Sequence, residues 1–558
     1  MSMKILFIVS AFNSLSQRLF CELRDMGYEV SVQFATSQND MSEEIDRFKP
    51  DIIFCPYLKK YLPKDIFLNT PTFVLHPGIR GDRGHNALDH AVRDEKKEWG
   101  VVILRATEVL DGGDIYAEVR FQMRDASKAS LYRNEVARAS SNALKIFLKN
   151  LADKEFVPSP QLNNPMHPYL SAQERAIEWQ RDTTKEIIKK IYASDSYPGV
   201  RDEFLGLECY LFGVHEEESL RAEPKEIIAK RDGAICVGTI DGAIWISHMQ
   251  EIGRFKLPST YVLKDRIKGV KEIRLPLAVE YGKKTFHEIS YESIGEVCYL
   301  HFNFHNGAMH SEQCIRLKYA FEYLKESHKV IVLMGGADFF SNGIHLNILE
   351  DSKKQGEDGW SNINAMNDLL RSVLSASDVL TVASLGKNAG AGGVFLALAC
   401  DYAIAKEGVV LNPHYKTLGL SGSEYHTYTL PKRVGEEKAK QLLDECLPIS
   451  AKRAFEISMI DKLFEDKDYL DALREFANDL AENIEAYNDF LYEKEECLSN
   501  NLEFIEQKKE EELRVMYSEF WDKKSSFHQL RYDFVYKACR IQTPKRLKSG
   551  QKNIYGAN

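Results

Sequence analysis

Apolar positions in the first third of the chain alternate between short unbroken runs and a helical spacing. Ile5 to Val9 is a continuous apolar run, the pattern of a strand buried on both faces. Leu15, Leu19, Leu23 and Met26 then share one helical face, and Gly27 follows as a stop. Tyr28 to Phe34, Asp51 to Cys55, Thr72 to Leu75, Val101 to Arg105 and Ile115 to Phe121 read as further strands. This alternation predicts an open, mostly parallel sheet with its site at the strands' C-terminal ends.

The pattern changes after Val157-Pro-Ser-Pro-Gln161, a Pro-rich stretch that reads as a boundary or crossing loop. Helical periodicity is lost from 200 to 275, where Ala234 to Ile246 predicts a hairpin around Asp241-Gly242 and the segment reads as a small all-β domain. From Ile289 strands and helices alternate again. Val330 to Leu333 and Val379 to Ser384 each run into a glycine-rich turn; after the second come a helix at Val394 to Ala399 and a strand at Tyr402 to Ala405. Beyond about 466 the chain is helical and charge-rich, with an acidic run at Glu493 to Glu496. The last stretch, Arg531 to Asn558, is basic with little periodicity. The expected fold is α/β multidomain, with boundaries at 1–165, 166–280 and 281–558.

A length of 558 residues allows two to four domains. Hydrophobic content of 44% and charged content of 28% are ordinary for a soluble chain, and a net charge of −10 gives no reason to expect nucleic acid. The ten cysteines form no C-x-x-C pair, so buried thiols in a reducing cytoplasm are expected, with no metal site. The N-terminus is too short in its apolar run for a signal peptide, and no stretch would span a membrane.

Two glycine turns carry candidate chemistry. Gly335-Gly-Ala-Asp-Phe-Phe-Ser-Asn-Gly-Ile-His-Leu346 includes Ser341, Gly343 and Ile344; the second turn has Gly390, Gly392 and Gly393. Glycines let a backbone approach a ligand closely, and free N–H groups at a helix start hold negative charge on a carbonyl oxygen. A Rossmann phosphate turn or a plain packing turn is the alternative; the spacing is not G-x-G-x-x-G.

On these residues, roughly 290 to 470 resembles the enoyl-CoA hydratase/isomerase (crotonase) family, which binds acyl-CoA thioesters. The resemblance implies Ile344 and Gly392 N–H groups as oxyanion donors, and Gly343, Gly390, Gly393 and Ser341 at a coenzyme A site. The two glutamates of the hydratases correspond to Phe395 and His414 here. Water addition needs placed carboxylates, so the thioester cradle is expected without hydration. His414, Tyr415 and Glu424 are the ionisable residues in matching neighbourhoods. Tyr415 and Glu424 are expected to move protons; packing or capping is the other reading of each.

The first third carries a second constellation. Thr72-Phe-Val-Leu-His-Pro-Gly-Ile-Arg-Gly-Asp-Arg-Gly84 puts His76 at a strand end, and Val109-Leu-Asp-Gly-Gly-Asp-Ile115 puts Asp111 in a tight turn. An Asp can hold an imidazolium so that it steadies an oxyanion or passes a proton; a satisfied loop histidine is the alternative. These residues resemble the folate-dependent formyltransferases over 1–155, with 200–275 similar to the accessory domain of the tRNA enzymes. The family pattern Asn-x-His plus Asp carries over at His76 and Asp111, while Val74 replaces the Asn. Asn13 and Asn86 lie in nearby loops. The resemblance implies a Rossmann-like formyltransferase domain and an OB-like β-rich domain. It also implies folate near Tyr57 to Pro63, including Leu62, and at the loop before Gly112.

A formyltransferase head on a crotonase body with C-terminal helices resembles the HypX/HoxX hydrogenase maturation family. The motif His-Pro-Gly-x-x-Gly-Asp-Arg-Gly, the run Asn306-Gly-Ala-Met309 and the run Asn412-Pro-His-Tyr415 carry it. That resemblance implies carbon monoxide synthesis for the nickel–iron site from 10-formyltetrahydrofolate and coenzyme A, through formyl-CoA. It implies the hydrogenase large subunit or its maturation factors as partners. Three alternatives stay open: a formyltransferase acting on an amine, a formyltetrahydrofolate hydrolase, and a non-catalytic scaffold docking through its basic tail.

Overall fold

The computed structural model describes residues 2–538 and 542–550. Contacts divide the chain into two compact units. One holds residues up to 273, 284–286 and the returning segment 542–550; the other holds 274–283 and 287–538.

In the first unit, β1 (Lys4–Val9), β2 (Glu29–Phe34), β3 (Ile52–Cys55), β4 (Thr72–His76), β5 (Glu98–Arg105) and β6 (Ile115–Gln122) form one sheet ordered β2-β1-β3-β4-β5-β6. The first four strands pair in parallel, while β5 joins β4 and β6 antiparallel. The apolar run of β1 is buried throughout, as a strand covered on both faces must be. The Ser14–Asp25 helix starts where Asn13 Oδ1 accepts the Ser16 N–H at 3.0 Å, and buries Leu15, Leu19 and Leu23. It is followed by Gly27 at φ +88°, a conformation open to glycine.

A second sheet in this unit is β7 (Val200–Phe204), β8 (Leu207–Glu217), β9 (Ile227–Arg231), β10 (Ala234–Gly238) and β11 (Ala243–Glu251), ordered β7-β8-β11-β10-β9, with β12 (Leu257–Pro258) on β11. The hairpin pairs Gly238 with Ala243, so Asp241-Gly242 sits in its loop. Buried Glu217 accepts Trp245 Nε1 at 2.6 Å, and the Arg231 guanidinium lies 4.4 Å from the Trp245 ring.

The second unit repeats one motif: a long strand, a short strand, then a helix. Its strands are β13 (Val279–Glu280), β14 (Ile289–Ile294), β15 (Val297–Phe302), β16 (Ala308–Met309), β17 (Val330–Gly335), β18 (Gly343–Ile344), β19 (Leu380–Leu385), β20 (Ala389–Gly390), β21 (Tyr402–Lys406), β22 (Val410–Asn412), β23 (Ile449–Ser450) and β24 (Lys462–Phe464). The main sheet runs β13-β14-β15-β17-β19-β21-β24, and the remaining short strands pair as β16-β18 and β20-β22-β23. A bridge between Ser341 and Ala389 ties the two glycine turns together.

Helices Tyr469–Glu482, Ile484–Trp521 and Ser526–Val535 follow. The acidic run Glu493 to Glu496 lies on the middle one. The start of the stretch read as an aperiodic basic tail is instead helical. Arg531 is buried there and donates to Glu350 at 2.7 Å and Gln355 at 2.6 Å, so its charge is neutralised inside the unit. Of that stretch, 539–541 and 551–558 lie outside the described residues. Among the described residues, no helix is long and apolar enough to cross a membrane.

Candidate functional site

In each unit ionisable side chains converge on glycine-rich turns. In the first, His76 closes β4 and is buried, as a strand C-terminal end in an open parallel sheet requires of a site residue. Its Nε2 lies 2.6 Å from Asp82 Oδ2, while Asp111 Oδ2 stands 3.6 Å from Nδ1. The expected partner is therefore present at ion-pair distance, and the closer one, Asp82, sits six residues downstream inside the glycine-rich loop. Burial alone would push the His76 pKa down. The Asp82 hydrogen bond and the charges of Asp111 and Asp82 outweigh it and raise the pKa.

Glycines make this geometry possible. A Cβ on Gly78 would lie 2.3 Å from Asp82 Oδ2 and 2.4 Å from His76 Nε2. At the Asp111 turn, a Cβ on Gly113 would lie 1.9 Å from the Arg105 carbonyl, and Gly112 N–H donates to Val109 O at 3.1 Å. Asp111 takes φ +50° and its carboxylate accepts the Gly84 N–H at 3.1 Å.

The Pro-rich stretch runs across this loop. Ser159 bridges Ile115, Gln161 accepts the Gly81 N–H at 2.8 Å and donates to Asp111 O at 3.2 Å, and Asn164 donates to Gly81 O at 3.0 Å. His167 Nε2 reaches within 3.2 Å of Asp82 Oδ1. An extended Pro-flanked segment rich in amides suits a loop whose backbone groups lack ladder partners.

Val74 shares the strand face of His76, two residues apart. It packs with Ile45, Leu58 and Leu62 on an apolar cluster and offers no donor. Of the nearby asparagines, Asn13 caps its helix and donates to Tyr132 Oη at 3.2 Å, and Asn86 accepts the Leu170 N–H at 3.2 Å.

In the second unit the two glycine turns converge. A Cβ on Gly343 would lie 3.2 Å from Gly392 N, and one on Gly393 would lie 2.1 Å from Ser341 O. Ser341 holds the turn together: its hydroxyl donates to Gly307 O at 3.3 Å and accepts the Gly343 N–H at 3.2 Å, and its carbonyl accepts the Gly390 N–H at 2.9 Å. Ile344 pairs with Met309 across β18 and β16. Ala391, at φ +48° and ψ −130°, turns the chain into the Gly392–Leu398 helix.

Glu424 stands against this cradle. Its Oε1 is 2.4 Å from where a Cβ on Gly392 would be. Tyr415 Oη donates to Glu424 Oε2 at 2.8 Å, and the Tyr415 ring stacks on Phe395 at 5.5 Å. Burial pushes the Glu424 pKa up to about 7, with Glu512 also raising it and the Tyr415 hydrogen bond and His426 opposing. The Tyr415 hydroxyl is pushed up by burial and by the Glu424 charge. His414 makes a long contact with Thr417 at 3.5 Å. Residues outside the sequence reading complete the cluster: Asn367 accepts the Glu424 N–H at 3.0 Å, and His426 Nδ1 lies 3.1 Å from Glu512 Oε1. No local pattern signals Glu512, which arrives from a distant helix.

Three histidines of this unit are held neutral by burial, His301 and His345 near a pKa of about 4 and His310 near about 3. Below pH 6.5 the unfolded chain protonates them and the folded chain does not. Glu424 and Glu519 each oppose up to one of these protons, since their folded pKa values are raised. The balance leaves one or more, or roughly 1.4 kcal/mol or more lost per pH unit as pH falls from about 6 to 4.5. The urea midpoint of unfolding is expected to drop steeply over that range; a flat midpoint would contradict the buried neutral state of these rings.

Residues 293–535 match the enoyl-CoA hydratase/isomerase family, and 169–265 match the formyl transferase C-terminal domain. The chain is 35% identical to a hydrogenase maturation factor, HoxX, of Bradyrhizobium diazoefficiens, over 97% of this chain and 96% of that one. A crystal structure of HypX from Aquifex aeolicus in complex with tetrahydrofolic acid superposes with a TM-score of 0.95 at 43% identity, covering 98% of both chains. A methionyl-tRNA formyltransferase of Pseudothermotoga lettingae is 30% identical over 45% of this chain and 83% of its own.

Proposed function

The chain belongs to the HypX/HoxX family of hydrogenase maturation factors, and from that premise we propose that it makes carbon monoxide for a nickel–iron hydrogenase in two steps. The first moves the formyl group of 10-formyltetrahydrofolate to the thiol of coenzyme A. Sulfur attacks the formyl carbon, the carbon–nitrogen bond breaks, and the thiol proton ends on the leaving nitrogen. The His76–Asp82–Asp111 group stabilises the oxyanion and handles that proton. The tetrahydrofolic acid in the Aquifex relative's structure supports a folate substrate here; Leu62 and Gly112 are the residues we assign to its site.

The second step splits formyl-CoA. The Ile344 and Gly392 N–H groups face the thioester oxygen, and Gly343, Gly390, Gly393 and Ser341 shape the coenzyme A cradle. The Glu424 carboxylate takes the formyl hydrogen as a proton. The carbon–sulfur electrons leave with sulfur, releasing carbon monoxide, and the proton passes from Glu424 to the thiolate. Tyr415 orients the carboxylate.

The observation that carries this reading is the buried Glu424 carboxylate against the paired glycine turns, with the apolar Phe395 ring stacked on Tyr415 beside it. Such a site removes a proton but does not aim water. The test supplies the protein with 10-formyltetrahydrofolate and coenzyme A and analyses the gas. Carbon monoxide dependent on both substrates is expected; formate in its place would reject decarbonylation.

A further inference from the structure

The loop 419–427, which delivers Glu424 to the cradle, is held from outside by the long Ile484–Trp521 helix. Glu512 and Glu519 are seven residues apart on that helix, close to two turns, and so share a face. Glu519 accepts the Ser421 N–H at 2.9 Å and its hydroxyl at 3.1 Å. Glu512 accepts the Tyr425 N–H at 3.0 Å, the Thr427 N–H at 2.8 Å and the Thr427 hydroxyl at 2.6 Å. Glu424 and Tyr425 both take left-handed backbone, at φ +63° and +55°, which this grip sustains against the preference of residues bearing a Cβ.

Between the helix and the cradle lies His426, 5% exposed. Its ring packs edge-on against Tyr415 at 5.3 Å and Phe395 at 5.5 Å, and its Nδ1 faces both Glu512 and the Ser423 carbonyl, at 3.1 and 3.0 Å. A buried imidazole directed at a carboxylate and a carbonyl, with no hydrogen donor facing that nitrogen, presents an N–H there.

We propose that His426 and Glu512 form a positioning pair that sets the proton affinity of Glu424, making the C-terminal helix a working part of the second site. This deepens the decarbonylation reading and rests on it for the role of Glu424. Among the described groups named as acting on Glu424, His426 is the one that can carry positive charge. Facing the 424–426 turn are Tyr415, Cys314, Glu506 and Glu512, with Asp368 and Arg371 from the Gln355–Leu374 helix beyond Tyr425. Burial disfavours charge on His426, yet Glu512 and its hydrogen bond raise the pKa, and the resulting positive charge opposes the rise at Glu424.

The closing experiment follows the Glu424 carboxyl stretch by infrared difference spectroscopy between pH 5 and 9, in the full chain and in His426→Gln, with Glu424→Gln identifying the band. The midpoint is expected to rise by one pH unit or more when the imidazolium is lost. The acid limb of carbon monoxide release is expected to move up with it, so that activity lost at pH 7 returns at higher pH. An unshifted midpoint in a folded His426→Gln protein would overturn the proposal. Should that variant fail to fold, nitrogen resonances of labelled histidine in the unaltered protein decide. One buried imidazole should hold its proton above the ordinary histidine range and shift as Glu424 titrates; absence of such a ring overturns the pair. Both readouts follow protons on side chains, so they give an answer even if the protein releases no carbon monoxide.

Discussion

Glu424→Gln is expected to cut carbon monoxide release from supplied formyl-CoA by on the order of 10²–10⁴-fold, the span over which a positioned base contributes. The amide keeps the shape and can still face the Tyr415 hydroxyl, so the cradle and its ligand affinity should survive. What is lost is the carboxylate that stands against Gly392. The wild-type rate should climb through a midpoint near 7, because burial holds the Glu424 pKa at about that value and only the ionised form accepts a proton. Tyr415→Phe removes the 2.8 Å hydrogen bond that orients the carboxylate and should cost less, about tenfold. The measurement is gas release from formyl-CoA across pH, with coenzyme A affinity followed separately. Undiminished release from both variants would show that neither residue carries the proton.

Asp82→Asn is expected to lower formyl transfer by on the order of 10²-fold or more while leaving folate binding in place. The reason is the balance at His76. Burial works against its charge, and the hydrogen bond to Asp82 is the largest influence in the other direction. Without that carboxylate the pKa falls, and the imidazolium survives only at lower pH; residual activity should therefore shift toward acid. Asp111→Asn removes the second charge and should also reduce transfer by that order, again with folate bound. Loss of formyltetrahydrofolate followed spectroscopically, beside calorimetric binding of tetrahydrofolate, separates the two effects. Transfer at the wild-type rate in Asp82→Asn would remove the close pair from the mechanism.

What the sequence made legible was local. Apolar runs located the strands of the first, mixed sheet and several of those of the second, and the glycine turns stood out because close backbone approach leaves no room for a Cβ. His76, Asp111, Tyr415 and Glu424 lie where short motifs put them. The contributions that stayed hidden come from distance. Glu512 reaches the Glu424 loop across 87 residues of chain to Tyr425. It looks like any other acid on a charge-rich helix until packing shows which face is buried. Gln161 and His167 were hidden for a related reason: a Pro-rich stretch between domains reads as a connector, and only tertiary pairing shows it lying across the His76 loop. Asp82 was visible in its motif, but a sequence offers no means of ranking it above Asp111, since the choice is made by a turn at Gly78 tight enough to bring a carboxylate back onto the ring.

The segment 542–550 gives the chain an order of assembly. It lies along β2, the outer strand of the first sheet: Thr543 Oγ1 accepts the Phe34 N–H at 2.8 Å, Ser549 N–H donates to Ser31 Oγ at 3.2 Å, and Lys548 pairs with Glu44 at 3.1 Å. An uncovered outer strand is a template for unwanted pairing. On the ribosome, β2 leaves the exit early and its cover is made only after some 500 further residues; at about 5–20 residues per second that is roughly half a minute to two minutes. During that interval the first unit is a nascent domain with an open flank. A chain cut before Thr543 would leave that sheet unguarded while every strand of it was intact.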